Sequence, residues 1–307
     1  MKFVTFEKKD GTIRAGWLLD QDHAVDMYEA SEGVLPSNLL SFLENSETYL
    51  EKTSLFPMTK QKGVYPLSEL RLLAPLPNPR SFRDFYAFEK HVKTARENRG
   101  LEMILEWYEI PVFYFSNHLA IKGPGEEIIK PSHCNWLDYE LEIACILGKE
   151  GTNISASEAD KYIFGYCVLN DWSARDLQRK EMKVGLGPAK GKDFSTSIGP
   201  WIVTKDELEH FKKGKGFDLS MKARVNGVLL SEGNMKDLYY SFGEMIERAS
   251  AGVTLFPGEI IGSGTVGTGC ILELGAQVHR WLKPGDKVDL EVDHLGVLQN
   301  EIIAEER

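Results

Sequence analysis

From residue 138 to its end, the chain consists of short apolar runs separated by glycine and proline, and this feature restricts the fold most strongly. Turn signals stand at close spacing at residues 256–258, 262–265 and 284–286. Ser155 and Glu158 have the spacing of a capping box, which predicts one helix start within this part. Glycine and proline favour tight turns and interrupt helices, whereas apolar runs of this length suit strands. We therefore predict an α+β, β-rich fold whose larger part is a rolled or sandwiched sheet.

A proline-rich segment at residues 73–79 divides the chain. Its three prolines are incompatible with a helix interior or a central strand, so we interpret the segment as a link between two domains. The 307 residues also exceed the size of most single cores, which rarely grow beyond roughly 250 residues. We predict a small N-terminal domain over residues 1–72 and a larger domain over residues 73–307. Within the first domain the pattern predicts two strands and a weak helix, at residues 2–6, 13–19 and 39–50.

The net charge argues against nucleic-acid and membrane partners. The sequence carries 36 basic and 46 acidic residues, a net charge of −10 at pH 7, and so lacks the positive field that binding to phosphates requires. No apolar run approaches the roughly 18 residues of a transmembrane helix, and the first residues contain no apolar signal segment. We therefore expect a cytoplasmic protein. Its four cysteines form no CxxC pair, so we expect buried thiols.

The most informative stretch, residues 138–148, alternates like a strand. Because successive side chains of a strand point to opposite faces, Glu140 and Glu142 share a face, with Cα atoms about 7 Å apart. Ala144 and Ile146 continue that face as apolar residues, which indicates partial burial. Two buried like charges need a compensating cation, and oxygen ligands favour Mg²⁺, Ca²⁺ or Mn²⁺ over zinc. The alternative is a solvated edge strand that carries two glutamates.

A third acidic candidate follows an apolar strand at residues 164–170. Asp171 stands at the end of this strand, where functional groups are commonly displayed. If the next residues are helical, Asp171, Arg175 and Gln178 share a face and offer a carboxylate, a guanidinium and an amide to one small anionic ligand. The alternative is an aspartate at a helix N-cap that forms an intrahelical ion pair.

Lys192 lies in a glycine-flanked loop, residues 187–201, that resembles a phosphate-binding loop only superficially. The glycine and lysine spacing of a Walker sequence is missing, which argues against a nucleotide site. A lysine in such a loop is suited to neutralise a substrate carboxylate or a developing enolate. The alternative is an ordinary exposed lysine.

Together these three segments resemble the fumarylacetoacetate hydrolase family, over roughly residues 75–300 and in the same order. The resemblance implies a mixed β-sandwich roll as the catalytic domain, preceded by a small N-terminal α/β domain. It implies that Glu140, Glu142 and Asp171 bind one divalent cation, with Mg²⁺ as the first choice and Ca²⁺ or Mn²⁺ as alternatives. Three residues match family positions that contact the substrate or its developing charge: Arg175, Gln178 and Lys192.

Further segments resemble the fumarylacetoacetase-like members more than the short acylpyruvase-type members. An Asp-Phe-Tyr-x4-His pattern begins at Asp84, and the resemblance implies that Asp84 binds metal, Tyr86 binds substrate and His91 is the general base. Three later residues also match positions of these members. Tyr114 and Thr265 match substrate-binding positions, and Glu273 matches a glutamate that orients the histidine. The N-terminal part shows no such match, and Ser195 stands where the family often has glycine.

The resemblance implies metal-dependent hydrolysis of a carbon–carbon bond next to a ketone in a small anionic diketo acid. In that reaction His91 activates water, Glu273 orients its imidazole, and Lys192 stabilises the enolate together with the cation. One alternative is an enzyme of the same family that decarboxylates, isomerises or hydrates a keto acid such as oxaloacetate. Another is a non-catalytic, metal-stabilised binding protein. Family members usually form homodimers, so we expect a homodimer.

Overall fold

The computed structural model describes residues 1–53, 56 and 62–305. Its strands are β1 (Lys2–Glu7), β2 (Ile13–Leu18), β3 (His23–Asp26), β4 (Val64–Pro66), β5 (Arg71–Leu73), β6 (Phe82–Phe85), β7 (Phe113–Phe115), β8 (Ile121–Lys122), β9 (Glu127–Lys130), β10 (Leu137–Asp138), β11 (Leu141–Leu147), β12 (Gly151–Thr152), β13 (Ile163–Asn170), β14 (Ser173–Ala174), β15 (Thr196–Thr204), β16 (Lys212–Lys213), β17 (Gly216–Phe217), β18 (Ser220–Val225), β19 (Val228–Asn234), β20 (Thr254–Leu255), β21 (Ile260–Gly262), β22 (Lys287–Val292) and β23 (Gly296–Ala304).

The helices are α1 (Met27–Ala30), α2 (Leu39–Leu43), α3 (Ser46–Thr53), α4 (Glu89–Glu97), α5 (Glu106–Glu109), α6 (Arg175–Met182), α7 (Phe242–Ser250) and α8 (Ile271–Leu274). Short 3₁₀ helices occupy Leu67–Glu69, Ala159–Tyr162, Lys205–Phe211 and Met235–Asp237. Within the described ranges, no helix has the length and apolar character needed to cross a bilayer. The elements form the α+β, β-rich fold that the sequence predicts.

Two sheets form the frame of the molecule. The large sheet runs in the order β4-β3-β2-β1-β15-β13-β11-β21-β6-β7, with β5 beside β1 and β8 beside β15. The second sheet, β19-β18-β22-β23-β9, packs against β11, β13 and β15. The larger part of the chain is therefore a sandwich of two sheets.

Strand β11 separates two hydrophobic cores. Leu141, Ile143 and Cys145 belong to the core that the second sheet shares, whereas Ala144 and Ile146 face the core beneath the N-terminal strands and α2. Every residue of β11 is buried, because the strand pairs with β13 on one side and β21 on the other. The predicted alternation is confirmed, and the alternative of a solvated edge strand is wrong.

The N-terminal strands extend the large sheet. Strand β1 pairs with β2, β5 and β15, so the sheet continues from the N-terminal residues into the larger part of the chain. The strands predicted at residues 2–6 and 13–19 are confirmed as β1 and β2, and the predicted helix at 39–50 is divided into α2 and α3. The predicted boundary between residues 72 and 73 falls within β5, and the division into two domains stays a prediction.

One helix start predicted from the sequence is wrong. The spacing of Ser155 and Glu158 predicts a capping box, but these residues precede only the short 3₁₀ helix Ala159–Tyr162. A capping box is present at Ser241 and Glu244, where α7 begins. Helix α7 buries an apolar face against the core, whereas the segment after Glu158 has no comparable face. The cap pattern therefore marks an α-helix only where such a face follows it.

Candidate active site

Three carboxylates from neighbouring strands meet inside the large sheet. Asp84 lies on β6, Glu142 on β11, and Asp171 directly after β13. One oxygen atom from each residue lies within 4.8 Å of the other two, and all three residues are buried. The order β13-β11-β21-β6 brings these positions together although they are far apart in the sequence. We call Asp84, Glu142 and Asp171 the acidic triad.

Gly262 makes room for the acidic triad. It lies on β21, paired with Asp84 on one side and with Ala144 on the other. A Cβ atom at position 262 would lie 2.3 Å from Asp84 Oδ1, which is far closer than two such atoms can approach. Glycine at this position therefore leaves the space that the Asp84 carboxylate occupies.

Burial and mutual repulsion disfavour the charges of the acidic triad. Burial raises the pKa values of Asp84, Glu142 and Asp171, and neighbouring carboxylates raise them further. Glu142 Oε2 and Asp171 Oδ1 have no hydrogen-bond partner among the described residues. Buried oxygens are normally paired, so these two atoms offer unused acceptor capacity. The set of oxygen donors fits a hard divalent cation such as Mg²⁺, Ca²⁺ or Mn²⁺.

Glu140, predicted as a fourth metal ligand, is bound by two cationic side chains. Its Oε1 accepts a hydrogen bond from Arg175 Nη2 at 2.8 Å, and its Oε2 accepts one from Lys192 Nζ. Burial opposes ionisation of Glu140, but Arg175 and Lys192 outweigh burial and lower its pKa. Glu140 is therefore an anion that lies beside the acidic triad and is not one of its three members.

Lys192 bridges Glu140 and the acidic triad. Its Nζ also donates a hydrogen bond to Asp171 Oδ2 at 2.5 Å. Burial favours the neutral amine, yet Asp171 and Glu140 raise the pKa of Lys192 above its usual range. A Cβ atom at Gly191 would lie 2.7 Å from the backbone nitrogen of Gln178, so this glycine lets the loop approach α6. The alternative of an ordinary exposed lysine is wrong, because Lys192 is only 4% exposed.

Two residues predicted to bind substrate contact the acidic triad. Tyr114 Oη donates a hydrogen bond to Asp171 Oδ2 and lies 3.3 Å from Asp84 Oδ2. Thr265 Oγ1 donates a hydrogen bond to Glu142 Oε1 at 3.2 Å. Both hydroxyl groups therefore lie in the same polar space as the three carboxylates.

The imidazole of His91, on α4, pairs with the carboxylate of Glu273, on α8. His91 Nδ1 and Glu273 Oε1 lie 2.5 Å apart, and both side chains are buried. Glu273 Oε2 accepts a hydrogen bond from the Thr268 backbone nitrogen at 2.9 Å, and Cys270 Sγ lies 3.7 Å from Oε1. The ring of Tyr86 packs edge-on against the imidazole, and burial raises the pKa of Tyr86 to about 12. A carboxylate at one ring nitrogen fixes the tautomer and leaves the other nitrogen free to exchange protons.

Arg175 begins helix α6, and Asp171 lies outside that helix. Asp171 precedes strand β14, and the N-cap position of α6 is Ala174. Both helical interpretations of Asp171, as part of a shared face and as an N-cap, are therefore wrong, because the pairing of β14 with β10 delays the start of the helix. Gln178 Oε1 accepts a hydrogen bond from Arg175 Nη1 at 3.1 Å, so the amide of Gln178 orients the guanidinium.

Two buried residues of this site were not predicted from the sequence. Asp138 Oδ2 accepts a hydrogen bond from Arg175 Nε at 2.9 Å. Asn170 Oδ1 accepts one from the backbone nitrogen of Glu140, also at 2.9 Å. The alternation of residues 138, 140 and 142 was a signal for Asp138. No pattern in the sequence singled out Asn170, because its partner, Glu140, lies 30 positions away in the sequence.

The fold and the buried acidic site define a strand-rich protein with an acidic centre. Residues 80–303 match the family described as fumarylacetoacetate (FAA) hydrolase C-terminal. The chain therefore belongs to the fumarylacetoacetate hydrolase family, whose enzymes act on small keto acids.

The similarity to known relatives extends over almost the whole chain. The oxaloacetate tautomerase of Bacillus subtilis (strain 168) is 30% identical over an alignment of 318 residues, which covers 98% of this chain and 100% of that protein. A mitochondrial oxaloacetate tautomerase of Bos taurus is 32% identical over an alignment of 287 residues, which covers 89% of this chain and 82% of that protein. The solved structure of fumarylacetoacetate hydrolase from Exiguobacterium antarcticum has a TM-score of 0.75 and 27% identity, and covers 99% of this chain and 100% of that one. These relatives also include the N-terminal part, where the sequence alone showed no match.

Proposed function

We propose that this protein is a divalent-cation-dependent tautomerase that interconverts the enol and keto forms of a small dicarboxylic keto acid such as oxaloacetate. The observation that carries the proposal is the buried pair of His91 and Glu273. His91 is among the groups that lower the pKa of Glu140, the anion beside the acidic triad. Proton transfer next to a ketone requires a base and a site that accommodates enolate charge, and the pair and the acidic triad are suited to the two tasks. The end-to-end similarity to oxaloacetate tautomerases supports this reaction.

The acidic triad is the proposed cation site. Asp84, Glu142 and Asp171 would hold the cation, and Glu140 remains the predicted fourth ligand. When bound, a divalent cation supplies Lewis-acid stabilisation of enolate charge. Mg²⁺ is our first choice, with Ca²⁺ and Mn²⁺ as alternatives, because an all-oxygen donor set accepts all three.

His91 is the proposed proton carrier. In the enol-to-keto direction the hydroxyl proton leaves the enol oxygen, and one proton is added to the carbon at the far end of the carbon–carbon double bond. The double bond thereby moves from carbon–carbon to carbon–oxygen, and no single bond between heavy atoms breaks. Glu273 holds the proton on His91 Nδ1, and Nε2 is then the atom that exchanges a proton with the substrate. The carboxylate of Glu273 also stabilises the imidazolium that forms during the transfer.

Positive and polar side chains are proposed to bind the anionic substrate. Lys192 and Arg175 carry the buried positive charges of the site, and each is already paired with Glu140. We assign them to the developing enolate charge and to a substrate carboxylate. The remaining predicted substrate contacts are Tyr86, Tyr114, Gln178 and Thr265. A homodimer and a cytoplasmic location stay predictions.

Hydrolysis of a carbon–carbon bond in a diketo acid, fumarylacetoacetate-like or acylpyruvate-like, is the second candidate function. A histidine paired with a carboxylate is also the arrangement that activates water for attack on a carbonyl group. Hydrolysis needs that attack in addition to the enolate stabilisation, whereas tautomerisation does not. The 27% identity to a solved fumarylacetoacetate hydrolase over nearly the whole chain favours keeping this candidate.

One panel of substrates separates these functions. The purified protein would be mixed with enol oxaloacetate, an acylpyruvate and fumarylacetoacetate, each with Mg²⁺ and with chelator, while ultraviolet absorbance and product mass are followed. We expect Mg²⁺-dependent loss of enol absorbance without a change in mass for oxaloacetate. Products whose masses add up to substrate plus water would instead identify a hydrolase. Tight binding without turnover of any compound would identify a binding protein.

A further inference from the structure

Asp138 connects two parts of the site that the proposed reaction uses for different tasks. The residue lies on β10 and is 0% exposed. Its Oδ1 accepts a hydrogen bond from the Ile271 backbone nitrogen at 2.8 Å. Its Oδ2 accepts one from the Leu272 backbone nitrogen at 3.0 Å and one from Arg175 Nε at 2.9 Å. One buried carboxylate thus collects three donors from two distant segments.

The bonds to Ile271 and Leu272 fix the start of α8, the helix that carries Glu273. The first N–H groups of a helix have no partner within the helix, and the side chain of the N-cap residue normally satisfies them. In α8 the N-cap residue is Cys270, and its side chain makes no such bond. Asp138 supplies the missing cap from another strand. The carboxylate of Glu273, at the third helical position, is placed by this cap.

The bond to Arg175 fixes the second part of the site. The other guanidinium nitrogens of Arg175 donate to Glu140 Oε1 at 2.8 Å and to Gln178 Oε1 at 3.1 Å. A guanidinium group is planar and rigid, so a partner at Nε sets the direction of both terminal nitrogens. Asp138 therefore controls the direction in which Arg175 presents its charge.

We propose, resting on the function proposed above, that Asp138 is a positioning residue that holds the helix of Glu273 and the guanidinium of Arg175 in a fixed relation. The proton-transfer pair and the substrate-binding charge then act on the same bound molecule. The substitution Asp138→Asn replaces one acceptor oxygen by an NH₂ group. That group is itself a donor and would face donors, so at least one of the three bonds is lost.

A double-mutant cycle with Glu273→Gln tests the catalytic part of the proposal. In the wild-type background we expect Asp138→Asn to lower kcat by roughly 100-fold, with a change in KM of less than about 5-fold. In the Glu273→Gln background we expect Asp138→Asn to lower kcat by only about 10-fold, because the position of the side chain at residue 273 then matters less. Equal losses of kcat in the two backgrounds would overturn the proposal.

Asp286→Asn is the matched control. Asp286 is also buried, and it accepts bonds from the side chains of Arg280 and Asn226 and from the backbone nitrogen of Lys283. None of these partners belongs to the candidate site. We expect Asp286→Asn to lower the melting temperature as Asp138→Asn does, but to change kcat by less than about 2-fold. A loss of kcat in the control equal to that of Asp138→Asn would reduce the role of Asp138 to general stability and would overturn the proposal.

Hydrogen exchange tests the cap without any turnover, so it separates a failure of this proposal from a failure of the proposed function. We expect the amides of Ile271 and Leu272 to be protected in the wild-type protein, although they stand in the first turn of a short helix. Asp138→Asn should remove that protection, and Asp286→Asn should leave it. Rapid exchange of both amides in the folded wild-type protein would overturn the proposal, and this outcome does not depend on whether any variant folds.

Discussion

His91 Nδ1 and Glu273 Oε1 lie 2.5 Å apart although 182 positions separate the two residues in the sequence. They stand on α4 and α8, two short helices that contact each other. Both side chains are buried, so the contact is shielded from water, which would otherwise weaken it. The pair therefore has the geometry of a base whose tautomer and orientation are set by a carboxylate.

Removing the charge of Glu273 is expected to impair turnover more than binding. Glu273→Gln keeps the size of the side chain but cannot stabilise an imidazolium at His91, so we expect kcat to fall by roughly 100-fold and KM to change by less than about 3-fold. Steady-state kinetics of the wild-type protein and of Glu273→Gln provide the measurement. Glu301→Gln, at an exposed position, is the control and should retain full activity. Unchanged kcat in Glu273→Gln would contradict the role of the pair.

Lys192 is expected to act mainly on the transition state. Lys192→Met removes the positive charge that lies between Glu140 and Asp171, so we expect a fall in kcat of roughly 100-fold that exceeds the rise in KM. The control is Lys190→Met, because the Lys190 side chain is 70% exposed and lies two positions away. The same kinetic assay distinguishes the roles, since a rise in KM alone would show that Lys192 only binds substrate.

Much of this site follows from local patterns in the sequence, and the remainder does not. The two-residue period of a strand correctly placed Ala144 and Ile146 on the face opposite Leu141 and Ile143, because that period is a property of each strand by itself. The contacts of Glu140 with Arg175 and Lys192 join residues 35 and 52 positions apart, and no local pattern encodes them. The predicted helix through Asp171 failed because the pairing of β14 with β10, a contact between distant segments, delays α6.

The same distinction applies to the fold. Strands β1 and β2 were predicted from the residues of each segment by itself. The continuation of the large sheet from β1 into β15 was not predicted. It depends on the pairing of Lys2 with Val203 and of Phe3 with Ile202, which are far apart in the sequence. Register between distant strands is set by packing of whole faces and not by either strand alone.

Glu142 is expected to be necessary for stabilisation by a divalent cation. In the wild-type protein we expect Mg²⁺ or Mn²⁺ to raise the melting temperature, because a cation bound to the folded state alone shifts the unfolding equilibrium. In Glu142→Gln this rise should disappear. The metal-free variant should be at least as stable as the metal-free wild type, since burial and repulsion make the charge of Glu142 unfavourable. A full metal-induced shift in the variant, measured by thermal denaturation, would contradict the assignment.

The contribution of the acidic triad to the stability of the metal-free protein is expected to decrease as the pH rises above about 4. The pKa values of Asp84, Glu142 and Asp171 are raised by folding, so the folded protein retains protons that the unfolded chain releases near about pH 4. The stabilising contribution of these three carboxyl groups is complete below about pH 4. It is lost as the pH rises through their raised pKa values in the folded protein. The melting-temperature difference between Mg²⁺-saturated and chelator-treated protein should therefore widen from about pH 5 to about pH 8. A difference that narrows over this range would contradict the prediction.

The most direct test of the proposed metal centre is anomalous diffraction from a crystal of the protein grown with Mn²⁺. We predict one strong anomalous peak within coordination distance of carboxylate oxygens of Asp84, Glu142 and Asp171. The same crystal of Glu142→Gln should show a much weaker peak. A Mn²⁺ peak at another position, or none between these three carboxylates at saturating Mn²⁺, would contradict the assignment of the acidic triad as the metal centre.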